Sequence, residues 1–150
     1  MVNLKDILLV EDSDNDVELT LEALGRVGLV NRIVIAKDGV EALDYFHRRG
    51  RFADRTGGLP VVVLLDLKLP RISGLEVLKE LKADERFRNT PVVVLTSSRE
   101  ERDVVDGYRL GVNAFVVKPV DFEQFMTSVR QLGCFWAVVN ETPPDASDAN

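Results

Sequence analysis

Five short segments of the chain are almost entirely apolar and rich in β-branched residues. They span residues 7–10, 32–36, 61–65, 92–95 and 114–117. Short apolar runs with no polar alternation are typical of strands that are buried on both faces of a sheet. The sequence therefore predicts five buried strands.

Segments with helical spacing of apolar residues follow each strand. They cover residues 16–28, 39–49, 73–83, 99–111 and a stretch that starts at Asp121. In the first, Val17, Leu21 and Leu24 share one face, and Ser73 is a candidate N-cap of the third. Because strand and helix alternate five times, we predict an α/β fold: a doubly wound, five-stranded parallel sheet with helices on both faces.

The polar residues of interest lie directly after the strands. Asp66 ends the run of Val61–Leu65, and taken alone it would be an ordinary turn residue. In a parallel sheet, however, working groups gather beyond the carboxyl ends of the strands. The residues that we expect to meet there are Glu11, Asp12, Asp66, Thr96 and Lys118.

Three carboxylates in one crevice repel each other unless a cation lies among them. A hard divalent ion such as Mg²⁺ suits an all-oxygen cluster, and Lys118 supplies only one positive charge. A metal, a lysine and a hydroxyl around a carboxylate form a phosphoryl site, in which Thr96 would donate a hydrogen bond and Asp66 would be the nucleophile.

Composition limits the other possibilities. The 150 residues suit one domain, predicted over 1–140, followed by a disordered tail over 141–150. The net charge of −6 argues against nucleic-acid or membrane partners, and no apolar run has membrane-spanning length. A single cysteine, Cys134, excludes an internal disulfide, so we expect a cytoplasmic protein.

Four motifs carry a resemblance to a known family. "LLVEDSDND", "VVLLDLKLPRISGLEVLKELK", "PVVVLTSS" and "GVNAFVVKPVD" occur in this order between residue 5 and about residue 130. Together they resemble the receiver domain of two-component response regulators. The resemblance implies a flavodoxin-like fold with strand order 2-1-3-4-5.

The resemblance also implies residue roles at the phosphoryl site. Asp66 matches the phosphoacceptor, and Asp12 matches a direct Mg²⁺ ligand. Glu11 would bind the ion through water, and the backbone carbonyl of Lys68 would be a further ligand. Lys118 matches the lysine that pairs with the phosphoryl group.

A second set of roles concerns switching. Thr96 matches the switch hydroxyl and Phe115 the switch aromatic, and the Lys118–Pro119 bond is expected to be cis. Such a domain takes its phosphoryl group from a sensor histidine kinase and promotes only its own phosphorylation and dephosphorylation. The new charge alters the surface of the fourth helix, fifth strand and fifth helix, so output passes through protein–protein contacts. Direct effector, relay step and phosphate sink all remain open.

The last helical pattern is long. From Asp121 it continues to Val139, about 28 Å at 1.5 Å per residue. Phe122, Phe135, Trp136 and Val139 could fold back on their own domain or form a homodimer interface, which we favour. A similar ending occurs in small regulators that serve bacterial phytochromes, so a bacteriophytochrome kinase is the expected partner.

Competing interpretations fit less well. An aspartate-nucleophile phosphatase needs a second acid two residues after the first, where this chain has Lys68. A nucleotide- or flavin-binding module needs a glycine-rich loop after the first strand, whereas "EDSDND" repels phosphate. The same acids do not make a calcium loop, because Val17 stands where glycine is required. Asp14 and Asp16 are instead expected to cap the first helix.

The remaining polar features have ordinary explanations. His47, the only histidine, is expected to be a surface residue. The arginines of the loop over 48–60 are expected to be solvated, although they could meet an acidic kinase surface.

Overall fold

A computed structural model describes residues 5–25, 31–112 and 114–132. All strand pairs are parallel. The strands are β1 (Ile7–Val10), β2 (Ile33–Ala36), β3 (Val62–Asp66), β4 (Val92–Thr96) and β5 (Ala114–Val117). Their order in the sheet is β2-β1-β3-β4-β5, which confirms the predicted fold class and strand order.

Five α-helices and one 3₁₀ turn connect the strands. The helices are α1 (Asp14–Gly25), α2 (Gly39–His47), α3 (Gly74–Ala83), α4 (Arg99–Gly107) and α5 (Phe122–Gln131), and the 3₁₀ turn is Gly50–Phe52. The predicted fourth helix was longer, to residue 111. The structure ends it at Gly107 because Arg109 and Gly111 adopt positive φ, which a helix cannot continue.

Side-chain caps fix where the helices begin. Ser73 accepts a hydrogen bond from the Glu76 amide, which confirms the predicted cap of α3. At α1 the prediction was wrong, since the Ser13 hydroxyl accepts from the Asp16 amide at 3.2 Å. Asp14 and Asp16 lie in the first turn instead, where their carboxylates favour the positive end of the helix.

Apolar layers cover both faces of the sheet. One layer contains Leu24 of α1 and Phe125 of α5, and the other contains Tyr45 of α2 and Leu78 of α3. Because β1, β3 and β4 are completely buried between these layers, both faces of each strand must be apolar. This burial explains the uninterrupted runs in the sequence.

Several predictions fall outside the described residues. These are the continuation of α5 to Val139, the residues Cys134, Phe135 and Trp136, and the tail over 141–150. The described part of α5 starts at Phe122, a residue that is 37% exposed. Among the helices of the described residues, none has both the length and the apolar character needed to cross a bilayer.

Candidate functional site

The sheet brings the predicted residues to one edge. Glu11 directly follows β1, Asp66 and Thr96 are the last residues of β3 and β4, and Lys118 directly follows β5. The Lys118 amide also donates to the Thr96 carbonyl at 2.8 Å, which extends the β4–β5 pairing into the site. The Lys118–Pro119 bond is cis, as predicted.

Lys118 is the centre of the charge network. Its Nζ lies 2.9 Å from Asp66 Oδ2, 2.9 Å from Glu11 Oε1 and 2.9 Å from Asp16 Oδ2. Burial lowers the pKa of this ammonium, but the contacts with Glu11, Asp66 and Asp16 outweigh burial and raise the pKa above its ordinary value. Lys118 is therefore a fixed cation.

The acids form a cluster that could hold a metal ion. Carboxylate oxygens of Glu11, Asp12 and Asp66 all lie within 4.8 Å of one another. Lys118 contacts Glu11, Asp66 and Asp16, so one ammonium pairs with three carboxylates while Asp12 adds a fourth to the cluster. An oxygen-only donor set with excess negative charge fits a hard divalent cation.

Glu11 is the acid most affected by repulsion among these carboxylates. Its Oε1 is buried without a hydrogen bond of good geometry, and its contact with Lys118 is an ion pair. Burial and the neighbouring Asp66 raise the pKa of Glu11 to about 7, against the opposing effect of Lys118. A divalent cation would relieve this repulsion, so the residues fit the metal that the sequence predicted.

Asp66 is held in one orientation. Its side chain is almost completely buried, Oδ2 accepts from Lys118 Nζ, and Oδ1 accepts from the Lys68 amide at 3.1 Å. The loop after it packs against Gly74, whose amide donates to the Leu67 carbonyl at 3.0 Å. A Cβ at Gly74 would lie 2.0 Å from the Asp66 carbonyl oxygen, so this approach requires glycine.

A second set of contacts links Lys68 to the β4–α4 loop. The side chain of Lys68 is 77% exposed, pointing outward as expected, with Nζ 3.6 Å from Glu101 Oε1. The other oxygen of Glu101 accepts from Ser97 N at 2.6 Å and from Ser97 Oγ at 3.0 Å. Glu101 thus joins the loop beside Asp66 to the residue that follows Thr96.

The two predicted switch residues occupy different environments. Thr96 is only 2% exposed at the end of β4. Phe115 is half-buried on β5, and the guanidinium carbon of Arg102 on α4 lies 4.6 Å from its ring centroid. The aromatic ring of Phe115 therefore contacts α4 through Arg102.

Sequence reasoning missed two residues of the site. Asp16 was assigned to capping, and Glu101 was not singled out. Asp16 lies in the first turn of α1, four residues after Asp12 of the predicted cluster, which was the available signal. Glu101 left no such signal, because its partners Lys68 and Ser97 come from separate loops.

Known proteins share the fold of this chain. Residues 7–130 match the response regulator receiver domain. The chain belongs to this family, as the motifs predicted, and its relatives include bacteriophytochrome response regulators.

Two solved structures are particularly similar. The bacteriophytochrome response regulator AtBRR is 57% identical with a TM-score of 0.88, covering 93% of this chain and 100% of that one. The bacteriophytochrome response regulator RtBRR is 55% identical with a TM-score of 0.86, covering 98% and 89%. The response regulator Rcp1 from Synechocystis, solved in an Mn²⁺-bound form, is 35% identical with a TM-score of 0.71, covering 94% and 99%.

Proposed function

We propose that this protein accepts a phosphoryl group from a sensor histidine kinase onto Asp66 in an Mg²⁺-dependent reaction. One observation carries the proposal: the buried Asp66 carboxylate is fixed by Lys118 within a cluster that also contains Glu11 and Asp12. A carboxylate with a fixed ammonium and a cation site beside it is equipped to receive a phosphoryl group.

Four groups would hold the ion. They are the carboxylates of Glu11, Asp12 and Asp66 and the backbone carbonyl of Lys68. When bound, Mg²⁺ supplies charge neutralisation and orients the phosphoryl oxygens. The Mn²⁺-bound form of Rcp1 supports a divalent metal at this site, and the all-oxygen donor set favours Mg²⁺ for this chain.

The transfer itself uses the carboxylate of Asp66. One of its oxygens attacks the phosphorus of a phosphohistidine, an O–P bond forms, and the P–N bond breaks with its electron pair left on the imidazole. Lys118 stays bound to the site and balances the charge of the phosphoryl oxygens. Hydrolysis of the aspartyl phosphate then returns the carboxylate, and no other substrate is turned over.

Switching follows from the new dianionic group. Thr96 moves toward the phosphoryl oxygens and leaves space for Phe115, which shifts the equilibrium between two states of the domain. The α4–β5–α5 surface already exposes the large apolar side chains that a partner would cover. These are Val104, Tyr108, Val117 and Phe122. We therefore place the output surface here.

Two partners are proposed: a sensor kinase, indicated by the similar proteins, and a second copy of this chain. The high identity to two bacteriophytochrome response regulators supports a bacteriophytochrome kinase as the phosphoryl donor, acting in the cytoplasm. A homodimer through α5 would cover Phe122 together with Phe135, Trp136 and Val139, of which only Phe122 belongs to the described residues.

Intact mass after incubation with acetyl phosphate tests the proposal. With Mg²⁺ we expect one phosphoryl adduct per chain. The adduct should not form when the metal is chelated beforehand, or in Asp66→Asn. Asp54→Asn, on an exposed loop, is the matched control and should keep the adduct. Steady turnover of phosphate esters without an adduct would support the phosphatase instead, and an adduct that survives in Asp66→Asn would overturn the assignment.

A further inference from the structure

A cavity of about 300 Å³ lies at the opposite end of the sheet from Asp66. Leu59, which precedes β3, and Phe87, which precedes β4, contribute to its apolar wall, and both lie near the amino ends of the strands. Its polar lining consists of His47, Arg48, Arg55, Gly58 and Arg86. No carboxylate is among the lining residues that the structure describes.

Among the described residues, two of the arginines donate hydrogen bonds only to backbone carbonyls. Arg48 donates to the carbonyls of Arg55 at 3.2 Å and Gly57 at 2.6 Å. Arg55 donates to the carbonyls of Tyr45, Gly57 and Gly58, and its guanidinium carbon lies 4.0 Å from the Tyr45 ring centroid. These contacts fold the loop over 48–60 but leave both charges without a counterion there.

The two guanidinium groups also share one acceptor. Because both donate to the Gly57 carbonyl, their donor nitrogens lie within about 6 Å of each other, close enough for like charges to repel. A guanidinium carries five N–H donors, so two bonds from Arg48 and three from Arg55 leave half of their donors free of a described partner.

The other two polar side chains of the cavity, Arg86 and His47, already face carboxylates. Arg86 forms a two-point ion pair with Asp84, and Nε2 of His47 lies 3.8 Å from Glu80. The Tyr45 carbonyl lies in the last turn of α2, and its hydrogen bond from Arg55 offsets part of the positive charge of that arginine. The excess positive charge therefore resides on Arg48 and the free edge of Arg55.

We infer that this cavity is an anion site that binds a phosphate group, either inorganic phosphate or a small phosphomonoester. Adjacent guanidinium groups with free, planar donors match the oxygens of such a group, and each contact would be charge-assisted. A volume of about 300 Å³ suits a small ligand. Since the protein has a net charge of −6, recognition must depend on these short-range contacts rather than on long-range attraction.

Titration of ¹⁵N-labelled Asp66→Asn with inorganic phosphate, without divalent cations and at constant ionic strength, tests the site. This background removes the proposed phosphoacceptor, so the result is independent of the proposed function. We expect saturable amide shifts over residues 47–59 and at Phe87. Arg48→Gln should weaken binding about tenfold, the effect of one charge-assisted hydrogen bond.

Arg49→Gln is the matched control, because Arg49 pairs with Asp44 and does not line the cavity. Its affinity should equal that of the parent. If Arg48→Gln disorders the loop, Arg86→Gln is the second variant, since none of the hydrogen bonds that fold the loop comes from Arg86. It removes a positive charge from the lining and leaves Asp84 without that ion pair, so it should also weaken phosphate binding, by less than Arg48→Gln. Unsaturable shifts, equal affinity for acetate, or unchanged affinity in both variants would overturn the inference.

Discussion

The ammonium of Lys118 donates a 2.9 Å hydrogen bond to Asp66 Oδ2 across 52 residues of sequence. The two residues meet because Asp66 ends β3 and Lys118 directly follows β5, at the same edge of a parallel sheet. With Glu11 and Asp16 also 2.9 Å from its nitrogen, Lys118 holds together acids that would otherwise repel. The site is therefore built to depend on cations.

Removing this ammonium should make stability depend on metal. We expect Lys118→Gln to destabilise the metal-free protein by about 2–4 kcal/mol, because the buried carboxylates lose the ammonium that pairs with them. Mg²⁺ should restore part of the loss. Urea unfolding with and without Mg²⁺ measures both effects, with Lys5→Gln, an exposed lysine, as the control. Equal stability of Lys118→Gln with and without Mg²⁺ would show that the ion does not replace Lys118 in neutralising the buried carboxylates.

The exposed acid of the cluster should govern affinity for the ion. Asp12→Asn is expected to weaken Mg²⁺ binding by at least about tenfold while leaving the fold intact, since loss of a ligand should cost no less than loss of an outer-shell partner. Isothermal titration calorimetry measures the affinity, and Asp54→Asn should leave it unchanged. An Asp12→Asn protein that binds Mg²⁺ like the parent would move the metal away from this cluster.

Gly74 should be intolerant of any side chain. A Cβ there would meet the Asp66 carbonyl oxygen at 2.0 Å and Leu67 Cα at 2.7 Å, both backbone atoms that cannot turn aside. Gly74→Ala should therefore lower the free energy of unfolding by about 2–3 kcal/mol, as overpacking does. Gly107→Ala, at the end of α4 with open space around it, should instead stabilise by up to about 1 kcal/mol. Chemical denaturation of both variants compares them, and equal effects would show that the contact at Gly74 is not limiting.

Glu101 should control the mobility of the β4–α4 loop. Glu101→Ala removes the carboxylate oxygen that accepts both hydrogen bonds from Ser97, so the Ser97 amide should exchange its hydrogen about tenfold faster, the effect of about 1.4 kcal/mol. Hydrogen exchange followed by NMR gives the rate, while amides of β1 should be unaffected. Glu100→Ala, an exposed neighbour in the same turn, is the control. Exchange at Ser97 that is equally fast in both variants would exclude this role.

Much of the site could be predicted because it follows from the sheet. Residues that end parallel strands meet whatever the details of packing, so Glu11, Asp66, Thr96 and Lys118 were found from their places after apolar runs. Gly107 illustrates the lesser precision of helix ends: helical spacing continued beyond it, but backbone conformation stopped the helix.

The sequence by itself determined the alternation of strands and helices, because burial on both faces demands uninterrupted apolar runs, and it determined which polar residues would share an edge. Only the tertiary structure decided that Asp16 joins Lys118, that Glu101 links Lys68 to Ser97, and that two arginines of one loop share a single carbonyl. Those pairings depend on how separate loops and helix ends approach each other in space, and a one-dimensional pattern carries no record of that approach.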